Sequence, residues 1–312
     1  MPFKLPKLPS LQAKAHELAD FAELIAWECG KVSEREIIAY LGRVGDNEKN
    51  EGVNDTEEET TDLLPEVMNE IDRRAAACRD GYPFKLTLEG TVLKYDKQSE
   101  DKIESQVYRY LLLSTRLNMS KSKKHAGLDG TLLLEELAAH VLQNYLGGRA
   151  KSLVFGTAKK GKFKDKVNHL CKSLNEGVGF KNLDGNSKIT AVDDKLDAVA
   201  WTPFADALPG QLIVLGQCKT GTNWSELKTQ LQPENFAKKW FKEPFLITPI
   251  RAFCLSEAID RTKWKSVQTE AGILFDRCRL VDFCDGFVSQ DIVDWTDAAF
   301  GSFEVGDLNI SG

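Results

Sequence analysis

The sequence contains no uninterrupted apolar run that approaches the roughly eighteen residues of a membrane-spanning helix. Residues 1–9, which alternate proline and lysine with apolar residues, also lack the apolar core of a signal peptide. These absences argue against an integral membrane protein. We therefore expect a cytoplasmic protein that makes no contact with a membrane.

Cysteine, histidine and glycine patterns exclude several common kinds of site. The seven cysteines are odd in number and include no C-x-x-C pair, which favours reduced thiols over a disulfide framework or a zinc site. The four histidines have no metal-ligand spacing, and Gly177-x-Gly179 is not continued into a dinucleotide-binding motif. With 312 residues, 42% of them apolar, the chain can bury the core of one or two globular domains.

Acidic charge is concentrated in the front part of the chain. Residues 1–118 contain 16 Lys and Arg against 23 Asp and Glu, which leaves 25 against 24 for residues 119–312. The overall net charge of −6 therefore does not argue against polyanion binding by the back part.

The front part is expected to be mainly helical with a small β hairpin. The apolar spacing predicts helices over residues 11–27, 63–78 and 99–117, and Ser33 with Glu36 forms a capping box for one more. Strand-like alternation surrounds Glu89-Gly90 and predicts the hairpin. The acidic segment 45–62 is expected to be a solvated or disordered loop. No catalytic constellation is found here, so we predict a domain of unknown role over 1–118, and a second domain over 119–312.

The second part opens with a strong amphipathic helix. Asp129 can cap it, an apolar stripe follows, and Gly147-Gly148 ends it. Glu135 lies at the edge of that stripe. It is either a rim carboxylate on a solvated face or a functional acid.

Residues 149–172 carry eight cations against the single acid Asp165. They form either a solvated basic helix face or a track for a phosphate backbone, which steep salt dependence would reveal. The track would include Lys159, Lys160, Lys162 and Lys164.

Two stretches, residues 193–201 with Val199 and Trp201 and residues 211–221 with Leu212, Val214 and Leu215, contain β-forming residues. They flank the turn Pro209-Gly210 and predict adjacent strands. Gln217 and Lys219 project together because side chains two apart on a strand share a face. Pairing of the strands would put Asp197 beside them. Asp193 and Asp194 are alternative carboxylates, and a loop-capping aspartate with a polar strand end is the structural alternative.

Further segments complete an α/β pattern. Helical pieces are expected after Asn223 and around Phe236, and strands over 245–255 and 272–283. The order strand–strand–helix–strand fits a sheet with a crossover connection.

Three sequence features together resemble the PD-(D/E)xK nuclease superfamily. They are Leu134-Glu135-x-Leu137 on a helix, Leu196-Asp197, and a strand that ends in Gln217-Cys218-Lys219. The Q-x-K ending is similar to that of the Mrr-like restriction-endonuclease branch. The resemblance covers roughly residues 128–260 and implies a restriction-endonuclease-like mixed sheet flanked by helices.

The resemblance also implies roles for individual residues. Asp197, the amide oxygen of Gln217 and the backbone carbonyl of Cys218 would bind Mg²⁺ or Mn²⁺, and Glu135 would stand near the metal as a direct or water-mediated ligand. Lys219 would stabilise the attacking water or the transition-state charge. Glutamine in place of glutamate at position 217 removes one negative charge and should weaken metal binding. The thiol of Cys218 should face the opposite side and serve in packing.

The function implied is metal-dependent phosphodiester hydrolysis by a DNA endonuclease of bacterial restriction or antiphage defence, with RNA left open as a substrate. Either a homodimer or a subunit of a multi-protein defence complex, with a helicase or ATPase, is expected from the superfamily. Two alternatives remain. One is a catalytically inactive nuclease-fold module that binds nucleic acid or a partner protein. The other is an interaction protein whose acidic and basic segments drive self-association.

Overall fold

The computed structural model describes residues 3–10, 12–40, 56–182 and 194–302. The fold is mixed α/β, as expected, with a five-stranded sheet, a three-stranded sheet and a two-stranded ribbon among helices. The front elements are α1 (Ala15–Cys29), β1 (Lys31–Ser33), α2 (34–40), α3 (Thr56–Cys78), β2 (Phe84–Thr87), β3 (Val92–Tyr95) and α4 (Ile103–Arg116). The later elements are β4 (Lys124–His125), β5 (Leu128–Asp129), α5 (Gly130–Leu146), β6 (Lys151–Val154), α6 (Phe163–Leu174), β7 (Ala198–Thr202), β8 (Leu212–Lys219), α7 (Pro233–Trp240), β9 (Ile250–Leu255), α8 (Trp264–Ala271), β10 (Ile273–Phe275), α9 (Arg277–Asp282) and α10 (Gln290–Gly301).

Local signals define the front elements well. The capping box before α2 is confirmed, because Glu36 accepts from the backbone N–H of Ser33 at 2.7 Å and Ser33 Oγ accepts from the N–H of Glu36 at 3.3 Å. The predicted hairpin is confirmed as the antiparallel pair β2–β3, and β1 pairs with the other edge of β3. At the hairpin turn between β2 and β3, Leu88 and Glu89 have positive φ.

The five-stranded sheet has the order β10-β9-β8-β7-β6. Strands β6, β7 and β8 are antiparallel neighbours, whereas β8, β9 and β10 run parallel. Parallel neighbours need crossover connections, and α7 and α8 lie in the two that are present. The antiparallel pairing of β7 with β8 confirms that the strands on either side of Pro209-Gly210 are adjacent, as predicted.

Alternation along the strands divides the core into two faces. Ala198, Val214 and Cys218 belong to the apolar cluster that contains α5, while Val199 and Leu215 pack with α6 and α7. Gly216 permits α5 to approach the sheet, because a Cβ at this position would lie 2.8 Å from Leu142 Cδ1. The sheet is thus covered on both sides.

Three expectations from local pattern are wrong. Residues 272–283 form the short strand β10 and then helix α9, which Asp276 caps by accepting from the N–H of Arg279. Residues 222–229 form turns instead of the helix expected after Asn223. Residues 56–62 of the acidic segment lie in helix α3, while residues 45–55 lie outside the described part.

A buried charge cluster joins the front helices to α9. Both carboxylate oxygens of Asp20 in α1 contact the guanidinium of Arg277, at 2.7 and 3.0 Å, and Asp20 also accepts from Arg74 and Arg116. All four side chains are essentially inaccessible to solvent. One apolar cluster likewise contains residues from both sides of position 118. The division into two domains between residues 118 and 119 stays a prediction. The segments on the two sides of this boundary share one apolar cluster.

No helix among the described residues is long and apolar enough to cross a membrane. All seven cysteines are free thiols, and six of them are buried.

Candidate active site

The candidate site lies where β6 and β8 end and β7 begins. Ala198 pairs with Gly216, so one step further in the same register Asp197 faces Gln217. The backbone N–H of Asp197 donates to the carbonyl of Gly216 at 2.9 Å, and its carbonyl accepts from the N–H groups of Phe155 and Gly156 at 2.8 and 2.9 Å. Neighbouring strands on both sides therefore hold the backbone of Asp197.

The carboxylate of Asp197 is buried, and its Oδ2 accepts from the backbone N–H of Cys218 at 2.7 Å. The alternative acid Asp194 instead contacts α7, where Lys239 Nζ lies 3.1 Å from its Oδ2 and the indole N–H of Trp240 donates to it. Asp193 lies outside the described residues. The described geometry therefore brings Asp197, and not Asp194, beside Gln217.

Gln217 is fully buried and incompletely hydrogen-bonded. Its amide nitrogen Nε2 lies 3.5 Å from Gln230 Oε1. Its own amide oxygen, Gln217 Oε1, has no hydrogen-bond partner in the described chain. An unsatisfied buried polar group costs about 1–3 kcal/mol. A water molecule or cation that contacts Oε1 would remove this penalty.

Lys219 is the last residue of β8 and is half-buried. It shares a strand face with Gln217, because the two are separated by one residue. The intervening Cys218 belongs to the apolar cluster on the α5 side, and its thiol lies 3.9 Å from the carbonyl of Leu134. The predicted opposite orientation of Cys218 is thus confirmed. Burial raises the pKa of this thiol well above its ordinary value, as expected for a packing residue.

Glu135 reaches the same end of the sheet from α5 and is buried, so the interpretation as a solvated rim carboxylate is wrong. Its Oε1 accepts from the N–H and hydroxyl of Thr157 at 3.2 and 2.8 Å, and its Oε2 accepts from the N–H of Ala158 at 2.7 Å. Gly156 lies between the backbone of Asp197 and the carboxylate of Glu135. Its N–H donates to the backbone carbonyl of Asp197, and a Cβ at this position would lie 2.4 Å from Glu135 Oε2.

Two residues at this site, Gly156 and Lys166, were not singled out from the sequence. Lys166 counts among the cations of the basic segment, but it is buried, and its ammonium donates to the carbonyl of Gly156 at 2.6 Å. The available signal was its spacing, three residues after Phe163 and four before Leu170, on the buried side of α6.

The four predicted track residues are exposed and begin next to the site. Lys159 and Lys160 follow Ala158, whose N–H is bound by Glu135, and Lys162 and Lys164 lie at the start of α6. A phosphate bound to these ammonium groups would therefore lie close to the end of β6.

The front part of the chain also contacts this end of the sheet. The carbonyl of Lys219 accepts from the N–H of Ser256 at 3.3 Å, and the Ser256 carbonyl accepts from Arg277 Nε at 3.0 Å. Arg277 in turn is held by Asp20. The buried charge cluster thus supports the strand end that carries Lys219.

Only part of the donor set suits a divalent cation. No group of three or more His, Cys, Asp or Glu side chains with metal-binding geometry occurs in the described part of the chain. Asp197 and the unsatisfied Gln217 Oε1 are the hard oxygen ligands that Mg²⁺ prefers, with further positions left for water. Glu135 already accepts three hydrogen bonds and would have to release some of them to bind a metal directly.

Comparisons with protein-family models, with curated proteins and with solved structures give no match for this chain. The functional interpretation therefore depends on the residues and their arrangement.

Proposed function

We propose that the protein is a metal-dependent nuclease with a restriction-endonuclease-like fold that hydrolyses phosphodiester bonds in DNA. The observation that carries the proposal is the register that sets Asp197 against Gln217, with Lys219 on the same strand face. The element order α5-β6-α6-β7-β8-α7-β9 supports it, because the three antiparallel strands β6, β7 and β8 are followed by a crossover helix and a parallel strand.

Each residue has a role that follows from its chemistry. Asp197 and the amide oxygen of Gln217 would hold Mg²⁺ or Mn²⁺, together with the carbonyl of Cys218. The cation supplies Lewis-acid activation of water and neutralisation of phosphate charge when bound. Lys219 would stabilise negative charge on the phosphate. Glu135 and Lys166 hold residues 156–158 in place, and the exposed lysines that follow bind the phosphate backbone.

Cleavage of plasmid DNA with Mg²⁺ or Mn²⁺ tests the proposal. Asp197→Ala and Lys219→Ala should each slow cleavage by about a hundredfold or more, since each removes a group that stabilises transition-state charge. Lys121→Ala changes an exposed lysine outside the site and should cut at the wild-type rate. Unchanged cutting by either site variant, or no cutting of DNA or RNA by the wild-type protein, would refute the assignment.

A second candidate function is a nuclease-fold module that binds nucleic acid without cutting it. The observation that favours it is the small number of acids, because Glu135 is occupied by hydrogen bonds and position 217 is an amide. Gln217→Glu restores a second carboxylate beside Asp197. Metal-dependent cutting by this variant, from an inactive wild-type protein, would identify the inactive module.

A setting in restriction or antiphage defence, with a second copy of the chain or an ATP-dependent partner, extends the proposal. Double-strand cleavage needs attack on both strands, and two copies of the site would supply it. Copurification of the chromosomally tagged protein tests whether a homodimer or a larger complex forms.

A further inference from the structure

A second cationic groove lies at the end of the five-stranded sheet opposite the candidate site. It has a volume of about 750 Å³ and is lined by the start of β6, the end of α6 and the connection from β7 to β8. Trp201, which lines the groove, is four residues from Asp197 along β7. At the usual rise of a strand, the two lie about 13 Å apart.

The described residues that line the groove carry positive charge and no negative charge. Arg149, Lys151 and Lys172 line it and are exposed, and the described lining residues include no Asp or Glu. None of the three forms an ion pair within the described ranges. The nearby acids Asp206 and Glu176 are not among the described lining residues and accept hydrogen bonds from backbone N–H groups of the connection.

An aromatic side chain stands beside these cations. Phe204 is 59% exposed, and it lies two residues after the end of β7 on the connection to β8. The connection is tied to the end of α6, because Asn175 Nδ2 donates to the carbonyl of Ala207 at 2.6 Å and Gly210 donates to Glu176 at 2.7 Å. Phe204 is therefore presented on a segment whose backbone is held in place.

Another large cavity, between α1 and α3, has a different character. It has a volume of about 640 Å³, and acids contribute to its lining, since Lys14 pairs there with Asp260 and Arg73 with Glu70. The groove differs from this mixed polar cavity because its described lining has cations and an exposed aromatic ring but no acid.

We propose that this groove binds single-stranded nucleic acid, with phosphates at Arg149, Lys151 and Lys172 and a base stacked on Phe204. Cationic grooves that follow the backbone, combined with aromatic rings that accept bases, are the general chemistry of single-strand binding. Nucleic acid is the ligand in both this proposal and the proposed nuclease function, but binding in the groove does not depend on cleavage. A strand bound in the groove lies about 13 Å from Asp197, so the groove holds a part of the substrate away from the bond that is cut.

Fluorescence anisotropy of the full-length protein with a labelled single strand of about twelve nucleotides, in EDTA, measures the binding. Changing Arg149, Lys151 and Lys172 together to glutamine should weaken binding at least tenfold. It should also reduce the slope of log K against log salt by about 2, since each neutralised phosphate of a single strand contributes about 0.7. Phe204→Ala should weaken single-strand binding about tenfold without changing that slope, and Phe204→Trp should restore it.

The matched control changes Lys94, Lys97 and Lys102 to glutamine, which removes the same charge from an exposed surface of the front part. Equal loss of affinity in the control and the groove variant would overturn the proposal. Equal weakening of a duplex by Phe204→Ala, or binding of a mononucleotide as tight as that of the strand, would also overturn it. Asp197→Ala should bind the strand normally, so failure of the nuclease function and failure of the groove give separate results.

Discussion

Two groups of buried polar side chains differ in how completely the chain itself satisfies them. Around Asp20 each buried charge lies beside an opposite charge. Of the three arginines that contact Asp20, only Arg116 has a buried nitrogen, Nη2, without a hydrogen bond in the described chain, and this nitrogen lies 4.0 Å from Glu257 Oε1. At the candidate site the acceptor oxygen of the fully buried Gln217 has no hydrogen-bond partner among the residues that the structure describes. The first arrangement supports structure, while the second leaves a position that a ligand can fill.

The charge cluster should produce the largest loss of stability. Asp20→Asn leaves Arg74, Arg116 and Arg277 buried without a central carboxylate, and breaking such buried pairs costs about 3–5 kcal/mol. Urea denaturation measures the change in unfolding free energy. The exposed Asp101→Asn should stay within about 0.5 kcal/mol of wild type, and a similarly small effect at Asp20 would contradict the structural role.

Acid should weaken the same cluster. Burial alone would raise the pKa of Asp20, but the guanidinium of Arg277, followed by those of Arg116 and Arg74, outweighs it and holds this pKa well below the ordinary value. The unfolded carboxyl then binds a proton at higher pH than the folded one. The stabilisation is complete above about pH 4 and decreases as pH falls through the folded pKa. Thermal melts from pH 7 to pH 3 should show this decline, which should be smaller in Asp20→Asn.

At the candidate site, Gly156→Ala should be the most damaging small change. The added methyl group would displace the carboxylate of Glu135 and disturb its bonds to Thr157 and Ala158, at a cost of about 1–3 kcal/mol. Cleavage should fall with it. Gly148→Ala is the control, because a methyl group there meets no atom of the described residues within 4 Å. Equal effects of the two changes would show that the Glu135–Gly156 contact does not matter.

The smallest and most discriminating effect is expected at Gln217. Gln217→Met removes an unsatisfied buried amide, so the metal-free protein should gain about 1 kcal/mol in unfolding free energy. Gln211→Met is the matched control, since Gln211 is also buried but its Nε2 donates a hydrogen bond to the carbonyl of Leu174. Loss of this hydrogen bond should destabilise the protein. Denaturation with and without Mg²⁺ would test both, and stabilisation by the metal should be lost only in Gln217→Met. Destabilisation of the metal-free Gln217→Met protein would contradict the idea of an unfilled position.

Short-range pattern was sufficient for several parts of the fold. Asp129 and Gly147 bound α5 as predicted, because capping and left-handed backbone are properties of a few adjacent residues. The strand pairing that sets Asp197 against Gln217 also followed from the sequence, since the turn Pro209-Gly210 joins two β-forming runs.

Local pattern failed where apolar residues are common in both helix and strand. Residues 272–283 contain Ile273, Leu274, Leu280 and Val281, and β10 with α9 divides them at Asp276, whose side chain caps the helix. A short apolar run does not by itself distinguish the two conformations, because both can bury every residue.

The sequence by itself determined the alternation that puts Gln217 and Lys219 on one face, the helix that carries Glu135, and the charge difference between the two parts of the chain. Only the tertiary structure decided that Glu135 and Lys166 are buried around Gly156, that Asp20 contacts Arg277, and that Gln217 Oε1 lacks a partner in the described ranges. The physical reason is range. Periodicity and capping act over a few residues, whereas desolvation and ion pairing depend on groups that Asp20 and Arg277 bring together across 257 positions of the sequence.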